Sequence, residues 1–177
     1  DIVMYDSRGI KPCIDNCTIL FQNPRVLIIR CCGKAFDFYV IAAHAPYKGC
    51  KEDPDEWWTF FNDTLHKTCI RKSPRIFGID VNKTLKTGGE FIGPVGSIRA
   101  HVDCDDSLVK IEHCITSHRM MAVNTFDHLC KSGYPCETFR HAQGNHDRVL
   151  DYLFVQGIKV VNESCYIDRT FPVVESK

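Results

Sequence analysis

No apolar run in the chain reaches the roughly 18 residues that a membrane-crossing helix needs. No secretory leader opens it; the first residues are Asp-Ile-Val-Met-Tyr-Asp-Ser-Arg-Gly. Internal repeats, low-complexity tracts and a Pro/Ser/Gly-rich linker are also missing, so the 177 residues read as one domain, 1–177. Net charge is absent as well: 22 Lys plus Arg balance 22 Asp plus Glu. A free-standing nucleic-acid binder is usually basic. The balance leaves room only for a local basic rim, with Arg71, Lys72, Arg75, Lys83, Lys86, Arg140 and Arg148 as candidates. The ordinary alternative is scattered, solvated charge.

Cysteine is plentiful, at 11, yet no C-x-x-C pair repeats. The spacing around Cys130, Cys136, His128 and His141 fits no standard zinc motif. Several cysteines sit in apolar runs, as in Ile29-Arg30-Cys31-Cys32, and read as small buried hydrophobes. An odd number of cysteines in such settings suggests a reduced, intracellular protein rather than a disulfide framework. The sequons at Asn16, Asn62, Asn82 and Asn162 would matter only after secretion.

What is present alternates short apolar runs with helical stretches. Residues 18–21, 26–32 and 36–43 read as three antiparallel strands, with turns at Gln22-Asn23-Pro24 and Gly33-Lys34. Asp53-Pro54 is a helix start, followed at spacing four by Trp57, Phe61 and Leu65. Residues 75–81 form a short strand, 83–98 a glycine-rich loop or minor hairpin, and 108–118 a second helix capped by Asp105 or Asp106. Runs at 120–126, 137–140, 150–155 and 159–167 read as further strands. Such a mixture implies sheets covered by helices.

Four polar positions stand at the ends of these apolar runs or interrupt them: His44, Asp80, Asn82 and Asp151. Strand alternation places Asp80 and Asn82 on one face. A carboxylate and an amide oxygen suit a hard cation, Mg²⁺ or Mn²⁺, or an attacking water. His44 ends Val-Ile-Ala-Ala-His and suits a phosphate oxygen or proton transfer; a satisfied strand-end histidine is the plain alternative. Asp151 interrupts Val-Leu-Asp-Tyr-Leu-Phe and needs a partner if buried, because desolvating a charge is costly. Asn124 ends a run, and Thr138 precedes Phe139 and Arg140.

The order of these motifs carries more than any one of them. His44-Ala45-Pro46, Gly78-Ile79-Asp80-Val81-Asn82, Asn124-Thr125-Phe126, Thr138-Phe139 and Leu150-Asp151-Tyr152 together resemble the endonuclease/exonuclease/phosphatase (DNase I-like) superfamily. The nearest likeness is to endonuclease domains of retrotransposon-type elements, from about Ile19 onward. The family's usual Gly-Asp-x-Asn is here interrupted by Ile79. The resemblance implies an α/β fold, a four-layer α-β-β-α sandwich incomplete at both termini. It implies Mg²⁺-dependent phosphodiester hydrolysis on DNA, by a monomeric domain of a larger, nuclear polyprotein. RNA, a nucleotide or a phosphoinositide is the alternative substrate; a remnant or phosphate-binding module without turnover is the non-enzymatic alternative. Residue by residue, it implies that Asp80 activates water and, with Asn82, holds the metal. His44 would contact the scissile phosphate and Asp151 would orient a histidine. Asn124, Thr138 and Arg140 would be further phosphate contacts. The family's metal-binding glutamate would precede Asp1, and its closing Asp-His pair falls due about where the chain ends at Glu175-Ser176-Lys177. Little activity is therefore expected of these 177 residues alone.

Overall fold

The computed structural model describes residues 16–34, 36–47, 49–85, 89–94, 107–132, 138–140 and 147–165. Strand β1, Asn16–Gln22, pairs antiparallel with β2, Val26–Cys32, and β2 pairs antiparallel with β3, Asp37–His44. The β1–β2 turn forms because Asn23 Oδ1 accepts from the backbone N–H of Arg25 and Val26, at 2.8 and 2.7 Å. A bulge between Ile19 and Phe21 leaves Leu20 without a register partner.

Helix α1, Pro54–Thr68, starts where the sequence puts it. Asp53 accepts from the backbone N–H of Asp55 and Glu56, and Pro54 contributes no N–H to be left unpaired. Its apolar stripe of Trp57, Trp58, Phe61 and Leu65 is buried, Trp57 stacking on Phe61 at 5.1 Å between centroids. Each such side chain contributes on the order of 1.5–3 kcal/mol by leaving water. The helix carries the chain across to β4, Arg75–Asp80, parallel to β3. Helix α2, Ser107–Ser117, packs beside α1. Strands β5, Met121–Ala122, and β8, Asp151–Gln156, complete a mixed six-stranded sheet ordered β1-β2-β3-β4-β8-β5. Strands β6, Phe139–Arg140, and β7, Asp147–Arg148, form a separate two-stranded ribbon.

The register sorts the side chains. Val26, Ile28, Tyr39, Ile41, Ala43, Phe77, Ile79, Tyr152 and Phe154 share one face and form the main core with α1 and α2. The opposite face carries Leu27, Ile29, Val40, Ala42, Gly78 and Leu153, then the polar rim described below. A smaller cluster of Val123, Leu129, Val155 and Cys165 packs near β8. The described residues therefore give one six-stranded sheet with a helix layer on one side, beside the small β6–β7 ribbon, an α/β fold consistent with an incomplete sandwich.

Two expected strands turn out otherwise. Residues 120–126 give only β5, because the chain turns into a 3-10 segment at Val123–Thr125, where the Thr125 hydroxyl donates to Ala122 O at 2.6 Å. Residues 159–165 are irregular apart from a single bridge of Cys165 to Cys130; a turn with Glu163 at φ 56° breaks the run. Asp105 and Asp106, expected to cap α2, lie outside the described residues.

Candidate active site

The parallel strands β3 and β4 end side by side, so their last residues, His44 and Asp80, are register partners. The antiparallel strand β8 begins at the same level, and its first residue, Asp151, is the partner of Asp80. Three polar groups far apart in sequence thus lie in one row, on one face, at one end of the sheet. That is the carboxyl end of the two parallel strands, where α/β sheets commonly bind ligands. His44 Nε2 stands 3.6 Å from Asp80 Oδ2, with the two side chains 56% and 33% exposed. The imidazole is thus open to solvent while the carboxylate is held in the sheet end.

Burial lifts the Asp80 carboxyl above its ordinary range, and the like charge of Asp151 adds to the shift. The backbone N–H of Asn82 and the nearby His44 pull the other way. A carboxylate crowded by another is one that a cation or a proton relieves.

Asn82 reaches the site differently from the way its spacing suggests. Strand β4 stops at Asp80, so alternation does not extend to residue 82. Instead Asp80 Oδ1 accepts from Asn82 N at 3.0 Å, closing an Asx turn, and Asn82 takes the left-handed conformation at φ 55°. Its amide nitrogen donates to Ala45 O at 2.7 Å, tying the loop after β4 to the loop after β3. What it has to offer a ligand is its amide oxygen.

Asn124 and Thr138 sit beside the row but face the backbone of β8. The Asn124 amide donates to Asp151 O and accepts from Leu153 N, both at 3.0 Å, and the residue is 5% exposed. The Thr138 hydroxyl oxygen accepts from the N–H of Leu150 and Asp151, at 2.9 and 3.0 Å. Both residues fix the start of β8, and with it Asp151. Arg140 pairs through its backbone with Asp147, and its side chain lies outside the described residues.

Two of the candidate rim cations are elsewhere. Arg71 reaches Asp37, at 3.7 Å, and Arg75 begins β4, so both lie at the opposite end of the strands from His44. Eight residues of strand separate the two ends by about 25 Å. Arg75 is half-buried, donating to Cys69 O at 2.6 Å and to His118 Nδ1 at 3.2 Å. Lys83 follows Asn82 directly, Lys86 lies outside the described residues, and the side chain of Arg148 is not described.

The sequence reading missed Arg25. Its carbonyl accepts from His44 N at 2.9 Å, and its guanidinium donates to His44 O at 3.4 Å while pairing with Glu52. It holds the end of β3 from a turn that spacing alone does not connect to residue 44.

The donor set suits a small hard cation. Asp80 offers a carboxylate that burial and the Asp151 charge disfavour as a bare anion, and Asn82 beside it offers an amide oxygen. Among the described residues no group of three or more His, Cys, Asp or Glu converges at ligating distance. Mg²⁺ is commonly held by one or two carboxylates and completes its shell with water and phosphate oxygens. Among the described residues, the donors fit Mg²⁺ with most of its shell left open, and form no all-protein cage. Among the described residues, no helix is long and apolar enough to cross a membrane.

No protein-family model matches the chain, and no curated protein sequence matches it. Solved structures do. The endonuclease domain of TRAS1, a telomere-specific non-LTR retrotransposon, is 12% identical with a TM-score of 0.49, over 80% of this chain and 56% of that one. An AP endonuclease from Archaeoglobus fulgidus is 16% identical with a TM-score of 0.47, over 72% and 51%. The 3′ phosphatase NExo from Neisseria, bound to a product DNA hairpin, is 10% identical with a TM-score of 0.49, over 81% and 59%. The chain spans 56%, 40% and 43% of the first three solved structures it matches. What this chain is similar to, at low identity, is a set of endonuclease/exonuclease/phosphatase (DNase I-like) proteins.

Proposed function

We propose that the row of His44, Asp80 and Asp151, with Asn82 beside it, hydrolyses phosphodiesters, as an endonuclease site acting on DNA. One observation carries the reading: the sheet register makes His44 and Asp151 the two neighbours of Asp80 on the same face. A phosphodiester needs a nucleophile, a counter-charge for the oxygens that gain negative charge, and a proton for the leaving group. Asp80, with its raised proton affinity, accepts a proton from an attacking water. His44, 56% exposed, donates a hydrogen bond to a phosphate oxygen. Asp151 sits on the far side of Asp80, fixed by Asn124 and Thr138, and orients a proton donor for the leaving oxygen. Mg²⁺, or Mn²⁺ in its place, would be held by Asp80 and Asn82, and supplies Lewis-acid neutralisation of phosphate charge when bound. The DNA substrate, the retrotransposon-like setting and a nuclear location belong to this proposal and rest on the motif order.

The test is nicking of supercoiled plasmid by the full-length protein, with and without Mg²⁺, beside Asp80→Ala. Loss of a proton-transfer group costs about 10²–10⁴-fold. A nicking rate unchanged in Asp80→Ala removes Asp80 from the mechanism and the proposal with it. Activity confined to RNA, a nucleotide or a phosphoinositide keeps the site and changes its substrate. Phosphate binding without turnover makes it a binding module.

A further inference from the structure

Away from the rim, two thiols meet across the outermost strands. Cys17 on β1 and Cys31 on β2 are register partners, and the Cys17 thiol donates to the Cys31 sulfur at 3.5 Å. Both are free cysteines. Directly opposed residues of an antiparallel pair have Cα atoms about 4.5–5.5 Å apart. That lies inside the range of about 4.4–6.8 Å that a disulfide accepts. The spacing of opposed residues in the ladder therefore permits the bond.

We propose that Cys17 and Cys31 form a thiol–disulfide exchange site for a small-molecule disulfide of the glutathione class. The two thiols are unequal in the way such a site needs. Cys17 is exposed on the edge strand, so a bulky disulfide reaches it; Cys31 is 4% exposed and out of reach. Burial, with the neighbouring Cys17 sulfur, pushes the Cys31 thiol up to about 12, so it stays protonated in the dithiol form. Cys32, the next residue, points to the opposite face, where its sulfur donates to Asp37 Oδ1 at 3.7 Å. It does not compete.

The exchange balances in two steps. The Cys17 thiolate attacks one sulfur of oxidised glutathione, breaking its S–S bond; a mixed disulfide forms on Cys17 and one glutathione thiolate leaves. Cys31 attacks the Cys17 sulfur while its proton passes to the departing glutathione sulfur; the Cys17–Cys31 bond forms and the second glutathione leaves as the thiol. The protein dithiol loses two electrons and two protons, and both are taken up as two glutathione thiols. The product fastens β1 covalently to β2. Among the described residues, β1 is held by its ladder and by Phe21, which packs against the core and stands 6.0 Å from the Phe60 ring between centroids.

The native protein is incubated in oxidised and reduced glutathione, quenched with an alkylating reagent, digested and mapped by mass spectrometry. The expected result is a peptide pair joined through Cys17 and Cys31, with both residues lost from the alkylated pool and restored by a reductant. Cys31→Ser keeps glutathione on Cys17, because the resolving thiol is gone. Cys17→Ser, a change at an exposed position, leaves Cys31 unmodified. Circular dichroism of each variant confirms that the fold is retained. The proposal is overturned by a wild-type protein that accumulates stable glutathione on Cys17, that joins Cys17 to a different cysteine, or that keeps both thiols free. Neither the result nor its failure touches the rim, which lies on other strands.

Discussion

Acidification between pH 6.5 and pH 4 should destabilise this fold through one buried histidine. His118 is 3% exposed, and its imidazole is pushed down to about 4 from an ordinary 6.5. Burial is the main cause; the nearby His66 and Arg75 charges add to it, with His113 a smaller contributor, and the hydrogen bond to Asn62 opposes. The geometry explains why. The Arg75 guanidinium donates to Nδ1 at 3.2 Å, so the ring's own proton sits on Nε2, 3.1 Å from Asn62 Oδ1. The His66 ring stands 4.4 Å away. A second proton would have to go onto the nitrogen that already accepts from a cation. The unfolded chain takes that proton near pH 6.5, while the folded chain takes it only near 4. Stability is thus complete above 6.5 and falls as pH drops to 4. The drop is about 3 kcal/mol, at ~1.4 kcal/mol per tenfold change in proton affinity. Set against a typical domain stability of about 5–15 kcal/mol, that is a large share. The assay is urea unfolding at pH 7, 5.5 and 4, comparing wild type with His118→Gln. The wild type should lose about 3 kcal/mol more than the variant across this window. Parallel curves for the two proteins would show that His118 titrates alike in both states, and the argument from its surroundings would fail.

Other perturbations give separable outcomes. Asp151→Asn removes the like charge beside Asp80, so the acid limb of the nicking rate of the full-length protein should move to lower pH. Asn124→Ala deletes both amide hydrogen bonds to β8 and should cost about 2 kcal/mol in urea unfolding, at ~1 kcal/mol per bond. Gly93→Ala would put a methyl against the Thr125 carbonyl, 2.6 Å from its carbon and 2.8 Å from Phe126 Cγ. The loop must shift, and a loss of about 1–3 kcal/mol should appear as a lower melting temperature.

The sheet was largely legible in the sequence because its strands are apolar runs broken by polar turns, and α1 because Asp53-Pro54 precedes an aromatic stripe. His44, Asp80 and Asp151 could be picked out because each is polar at the end of a run that otherwise belongs in a core. Local pattern does not show pairing, and three features of the structure stayed hidden for that reason. Asn82 looked set to share a strand face with Asp80, since nothing in Asp-Val-Asn announces that the strand stops at Asp80, two residues earlier. The bonds of Asn124 and Thr138 to the β8 backbone could not be read, since that strand lies some 10–30 residues away in sequence. Arg75 looked like a surface cation, since the histidine it contacts is 43 positions distant.

The left-handed backbone at Asn82 has a bearing on how that position is probed. Glycine adopts that shape freely and asparagine or aspartate tolerates it, whereas alanine is strained there. Replacing Asn82 by alanine would therefore change two things at once, the amide and the loop path. Glycine would delete the amide alone, and aspartate would keep the shape while exchanging an amide for a charge. The pair of changes, read side by side, separates chemistry from conformation where a conventional alanine scan would merge them.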